Sequence, residues 1–506
     1  MTASAIPAPV PADAGVASTA SSARRPRTRR NTELGLLAFA LLLIGMYGFA
    51  VEVGLLGTIR FQFWVPLFGL AVIFLVAHLA IRFLAPYADP VLLPCVALVN
   101  GFGVMFLRRL DLGKVKAGQR VNFPLFGGDG FRQLAWTALA VIGALVVLLI
   151  LRDHRALSRY AYTLGLTGIV LVIIPAILPS SLSSVNGAKL WIRFGSFFQI
   201  QPGEFAKIAL LAFFAYYLVR KREVLSMAVR KKFLGVYFHF PRGRDLGPVV
   251  TVWAMSLMVL VFERDLGTSL LYFGMFVVTL YIATERVSWL IIGLLLFVGG
   301  AFSAYVLGKL VGGPFTNFRQ RVDTWLDPFA DPNNKGFQPV QSLLGLGTGG
   351  LFGAGPGVGQ PEKVPEVRTD FIFAGMGEEI GLFGLTALLV VYLLIVERGL
   401  RAAIGVRDSF GKLFAGGLAF TLGLQVFVIV GGVSNLIPLT GQTTPWLSAG
   451  GSSLVANWLL VALLLRISDA ARRPAGAASS GGGPGGTAGS GGGPQKLHEA
   501  PTEVMR

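Results

Sequence analysis

Asp327-Pro328 and Asp331-Pro332 place two carboxylates four residues apart in a turn stiffened by proline. A carboxylate held in a partly watered cavity can take a proton from an attacking hydroxyl. Arg319 and Arg321, just upstream, carry charge suited to an anionic group. Either aspartate taken alone reads equally well as a cap on a short helix. A second set of ionisable residues lies in or at the ends of apolar runs: Glu204 with Lys207, Glu263 with Asp265, and Glu378-Glu379. Such groups are costly at membrane depth, so they face a partner or a watered cavity. Glu204 and Lys207 are three residues apart, share a helix face and read first as a structural ion pair. Asp265 is placed to cap the helix that starts near Gly267. Together these groups suggest one polar cavity opening on one side of a membrane.

Other chemistries are poorly provided for. Cys95 is the single cysteine, which excludes an internal disulfide framework and a multi-thiolate metal site, and the four scattered histidines argue against a histidine-rich one. No P-loop, HExxH or nucleophile elbow occurs. The run Gly353-Ala354-Gly355-Pro356-Gly357-Val358-Gly359 lacks the strand-to-helix context of a dinucleotide site and reads as a flexible or re-entrant turn.

The elements that must position these groups are membrane spans. The chain has 506 residues, 54% hydrophobic and only 14% charged, so the expected fold is all-α, a polytopic bundle of about twelve transmembrane helices. The candidate spans are 34–51, 61–84, 90–107, 133–151, 161–179, 204–219, 247–262, 267–283, 288–311, 371–396, 412–431 and 448–467. With the N-terminus in the cytoplasm, most of the +18 net charge falls in segments on the inner side. Both termini are then cytoplasmic and the long connection 312–369 lies outside. One basic segment, 108–132, dissents by falling outside, which calls for an anionic contact there. Arg24 to Arg30 and the basic runs at 220–222 and 230–232 serve as topology signals against anionic membrane lipids, so no nucleic acid is needed to explain the charge. Residues 1–33 form a basic head and 469–506 a Gly-rich tail, both expected to be disordered and cytoplasmic.

At these positions the chain resembles the SEDS family of bacterial cell-wall polymerases, the RodA/FtsW/SpoVE group. The resemblance runs in order through Phe131-Arg132-Gln133-Leu134, Asn186-Gly187-Ala188-Lys189-Leu190-Trp191-Ile192-Arg193 and Gln201-Pro202-Gly203-Glu204-Phe205-Ala206-Lys207. It continues through Asp265-Leu266-Gly267-Thr268-Ser269, the Asp327/Asp331 loop with Gln341-Ser342, Thr369-Asp370-Phe371-Ile372-Phe373 with Glu378-Glu379, and Pro438-Leu439-Thr440-Gly441 to Gly450-Gly451-Ser452-Ser453. Thr443-Thr444-Pro445-Trp446 leans towards RodA-like members. Arg264 stands where the family commonly has proline. Family members typically have ten spans, which makes 34–84 a two-helix addition before a core spanning 85–468.

The resemblance implies a peptidoglycan glycosyltransferase that polymerises lipid II, an undecaprenyl-pyrophosphate-linked substrate, at the outer face of the bacterial cytoplasmic membrane. A class B penicillin-binding protein would be its partner, in elongation or division. It also implies that Asp331 is the catalytic carboxylate, with Asp327 a weaker match. Lys189, Arg193, Arg319, Arg321, Asp327, Gln341 and Asp265 are then expected to bind substrate. No cofactor is required, though a divalent cation such as Mg²⁺ could join a carboxylate to the pyrophosphate. The alternatives at this stage are a lipid-linked precursor flippase or transporter, a non-enzymatic scaffold for the wall-synthesis transpeptidase, and a different lipid-linked sugar transferase.

Overall fold

A computed structural model describes residues 28–116, 127–185, 188–194, 198–226, 228–233, 236–241, 246–263 and 265–474. Residues 1–27 of the head, 475–506 of the tail, Asn186-Gly187, Arg264 and the middle of the dissenting basic segment lie outside these, and the side chains of the 230–232 run are not among those described. Residues 30–33 and 469–472, expected to be disordered, instead extend the first and last helices, Arg30–Leu56 and Gly451–Arg472.

Helices stand at all twelve expected positions. Ten are long and apolar enough to cross a membrane: α1 (Arg30–Leu56), α2 (Trp64–Leu84), α3 (Leu92–Lys116), α4 (Asp129–Ile150), α6 (Pro202–Ser226), α8 (Leu266–Thr284), α9 (Val287–Leu310), α12 (Ile372–Gly405), α13 (Ser409–Val433) and α14 (Gly451–Arg472). Two are shorter: α5 (Ala161–Ile177), with Pro175 inside it, and α7 (Gly247–Met258), which continues as a π-helical turn over Val259–Glu263. Long apolar runs fold as helices because each backbone polar group is then satisfied within its own segment. Large apolar side chains stay uncovered on α1 (Phe39, Met46), α2 (Phe68, Phe83) and α9 (Leu295, Phe302), as a lipid-facing surface requires. The core gathers instead on α3, α8, α13 and α14, where buried side chains such as Phe106, Phe276, Leu422 and Leu464 pack together.

The connection 312–369 is folded rather than a bare loop. It holds α10 (Thr316–Leu326) and α11 (Phe337–Gly349), joined by a short 3₁₀ turn over Pro328–Ala330. Asp327 caps that turn, its Oδ1 accepting from the Phe329 backbone N–H at 3.2 Å. Three small antiparallel hairpins complete the fold, Ser184–Val185 with Ala188–Lys189, Ile192–Phe194 with Phe198–Ile200, and Ala228–Phe233 with Val236–Pro241.

The glycine-rich run is structural, and it is packed. α12 breaks at Gly381, whose φ of 67° is open to glycine. The run lies across the break: Ala354 and Gly355 donate their backbone N–H groups to the carbonyls of Glu378 and Glu379, at 2.8 and 3.0 Å. In return Leu382 and Phe383 donate to the carbonyls of Gly350 and Leu351. A Cβ on Gly353 would collide with the Glu379 carbonyl, so the glycines allow the close approach that satisfies a broken helix.

Two arginines of the dissenting basic segment find their anions inside the protein. Arg108 pairs with Glu52 of α1, and Arg109 pairs with Glu379 and, at 2.6 Å, with Glu362. These arginines act as internal ion-pair partners, so they give no information on sidedness.

Candidate active site

Four helices begin at one end of the bundle and point their first turns into one cavity of about 1170 Å³. Asp129 and Arg132 enter it from α4, Glu204 from α6, Asp265 from the N-cap of α8 and Gly451 from α14. Free N–H groups and the aligned peptide dipoles make helix N-termini favourable ground for anions. The folded connection closes this mouth with Arg321, Thr324 and Trp325 of α10 and with Lys335 and Gln338. Arg193 and Gln199 reach it from the second hairpin.

The cavity therefore combines four cations, Arg132, Arg193, Arg321 and Lys335, with the carboxylates of Asp129, Glu204, Asp265, Glu366 and Asp370. Asp265 is held most firmly. Its Oδ1 accepts from the Thr268 N–H at 3.1 Å, its Oδ2 accepts from the Thr268 hydroxyl, and Gln442 donates to that hydroxyl at 3.2 Å. Arg321 donates through Nη1 to the Leu439 carbonyl at 2.9 Å, which fixes the guanidinium against the cavity wall. Burial and the neighbouring Glu366 push Asp370 up to about 6, and Arg321 opposes the rise.

The remaining expected residues fall in three places. Glu204 accepts from Lys207 at 2.7 Å, and Lys207 also donates to Gln425 and Asn457. Glu204 faces the cavity, whereas Lys207 stands behind it. Asp331, Asp327, Lys189, Arg319 and Gln341 do not line the cavity. Asp331 is half-buried, accepts from Asn334 Nδ2 at 2.9 Å and belongs to the turn that presents Lys335. Arg319 pairs with Asp323 at 3.4 Å along its own helix. Glu379 is buried against Arg109, and Glu378 accepts from the Gln360 N–H at 2.8 Å. Among the described residues no group of three or more His, Cys, Asp or Glu could hold a metal ion.

Asp129, Arg132, Lys335, Glu366 and Asp370 line the cavity without being among the residues expected there. Arg132 and Asp370 belong to the family motifs, which marks them in the sequence; Asp129, Lys335 and Glu366 carry no such mark.

The family model described as "Cell cycle protein", which joins FtsW, RodA and SpoVE, matches residues 90–473. The chain belongs to this family. Similar proteins include the peptidoglycan glycosyltransferases RodA of Mycobacterium bovis, 50% identical over 88% of this chain and 92% of the relative, and of Mycobacterium leprae, 49% identical with the same coverage. Stage V sporulation protein E of Bacillus subtilis is 33% identical over 67% of this chain and 86% of its own. Among solved structures, a chain of a peptidoglycan synthase complex has the same fold, with a TM-score of 0.52 and 24% identity over 81% of this chain and 98% of that one. Family membership accounts for the bundle from α3 onwards; α1 and α2 precede the matched region.

Proposed function

We propose that the chain is a peptidoglycan glycosyltransferase of the RodA type that polymerises lipid II at the outer face of the bacterial cytoplasmic membrane. The observation that carries this reading is the cavity itself, where cations and helix N-termini face carboxylates at one end of a membrane bundle. RodA relatives at 50% identity bear the name of that activity.

The acceptor hydroxyl oxygen attacks the anomeric carbon of the donor sugar. The bond from that carbon to the pyrophosphate oxygen breaks, and the pyrophosphate leaves with the electron pair, still attached to its lipid. The hydroxyl proton passes to a carboxylate. Arg193, Arg132 and Arg321 are supplied for the pyrophosphate, which gains negative charge as it leaves. Asp331 is the base on the family resemblance, at the rim turn that delivers Lys335. Asp265, fixed inside the cavity, favours a second assignment in which it takes the proton. The described residues hold no ready-made carboxylate cage, so a divalent cation would draw most of its oxygens from the pyrophosphate and water, with at most a cavity carboxylate such as Asp265 added. In this reading 312–369 faces outward, both termini face the cytoplasm and a class B penicillin-binding protein is the partner.

Purified protein supplied with lipid II in detergent, with and without the transpeptidase, tests the proposal. Glycan strands are expected, although detergent offers no bilayer to cross. A flippase or a scaffold would make none. Asp331→Asn is expected to abolish polymerisation while leaving insertion and partner binding intact. Near wild-type synthesis by Asp331→Asn, with none by Asp265→Asn, would move the base to Asp265.

A further inference from the structure

The helices that precede the family match are wired into the cavity wall. Glu52, near the end of α1, is 1% exposed and pairs with Arg108 of α3. It also accepts from the Arg60 N–H at 3.1 Å. Arg108 packs its backbone and Cβ against Gly130, where even a methyl group would collide. Gly130 lies in the first turn of α4, beside Asp129 of the cavity. This is one route from α1 to the site.

A second route starts one turn away. Tyr47 donates its hydroxyl to Glu379 at 3.3 Å. Glu379 is fully buried, accepts from the Gly357 N–H at 3.1 Å and pairs with Arg109. Arg109 in turn donates to Glu362 at 2.6 Å and to the Gly359 carbonyl at 2.5 Å. It thereby pins the strap that runs on to Glu366, Thr369 and Asp370 in the cavity wall. Gly357 closes against the Val51 carbonyl, so α1 touches the strap directly.

We propose that α1 is a built-in buttress of the active cavity, with Glu52 and Tyr47 as positioning residues for polymerisation. They act through Arg108 and Arg109 and touch no substrate. The physical case is one of position and charge. Both arginines are held at the cavity end of α3 with partners that α1 supplies or completes: Arg109 is fully buried, and Arg108, 17% exposed, pairs with the buried Glu52. A charge stranded in such a place by loss of its partner moves or draws in water. The walls that Arg108 and Arg109 hold would move with them. A displacement of about 1 Å in a site that must align two sugars costs roughly a hundredfold in rate.

The inference rests on the proposed polymerase activity, and its test separates the two. Wild-type protein with its transpeptidase is first assayed on lipid II; failure there sinks the activity reading. Given wild-type activity, Glu52→Gln and Tyr47→Phe are measured for kcat, KM and melting temperature, alongside Glu52→Asp and the charge-swapped pair Glu52→Arg with Arg108→Glu. The buttress predicts at least a tenfold fall in kcat for Glu52→Gln with KM changed less than threefold. It also predicts recovery of at least a third of wild-type kcat in Glu52→Asp or in the swapped pair. Tyr47→Phe should lower kcat by a smaller factor, because its neutral bond is the weaker contact. Unchanged kcat in Glu52→Gln overturns the proposal. So does a lowered melting temperature with normal turnover per folded molecule, or a loss that neither replacement recovers.

Discussion

Lys207 Nζ lies 2.7 Å from Glu204 Oε2 and also donates to Gln425 Oε1 at 3.0 Å and Asn457 Oδ1 at 3.2 Å. Three helices, α6, α13 and α14, thus converge on one ammonium. Glu204 turns its other side to the cavity, so a single carboxylate joins the bundle's interior to its polar mouth.

Removing that carboxylate strands a buried cation. Glu204→Ala is expected to destabilise the protein by about 3–5 kcal/mol, the usual cost of breaking a buried pair from one side. Lower membrane abundance and a lower melting temperature in detergent would show it. Normal abundance with selective loss of polymerisation would instead make Glu204 part of the reacting site.

Asp370 sets a pH dependence whose sign is fixed. Its folded pKa is raised to about 6, whereas an unfolded aspartate titrates near 3.9. Between these values the folded protein holds the proton and the unfolded chain does not, so stability falls as pH rises through that window and levels off above it. Melting temperatures of wild type and Asp370→Asn across pH 4 to 7.5 check this, in approximate steps of half a unit. The wild type should lose stability relative to Asp370→Asn up to about pH 6. A constant difference would contradict the assignment.

Sidedness can be read directly. Single cysteines placed in a Cys95→Ser background at exposed positions of the folded connection, such as Phe352 or Asn333, should react with membrane-impermeant thiol reagents in intact cells. A cysteine at exposed Arg152 should react only after lysis. Labelling of Arg152 but not Phe352 in intact cells would invert the topology and remove the polymerase reading with it.

Some of this molecule was legible because membrane physics is local. An apolar run has one way to satisfy its backbone, so the helices at 61–84 or 412–431 needed no tertiary information. The Glu204–Lys207 pairing followed from helical spacing alone, and the caps by Asp265 and Asp327 from side-chain reach. The motif order was likewise written in the chain, and it carried the family.

Only the tertiary structure decided which of these groups meet. Asp331 and Asp370 look alike in sequence, yet one sits in a rim turn and the other in the cavity wall, because α10 and α11 fold the connection back over the mouth. The basic residues Arg108 and Arg109 read as a topology anomaly until Glu52, Glu362 and Glu379 came to them from distant positions. The glycine-rich run gained its meaning from a helix break more than twenty residues on, at Gly381. Periodicity and hydropathy act along the chain. Charge neutralisation and close backbone approach act through space, and the sequence alone does not say who the neighbours are.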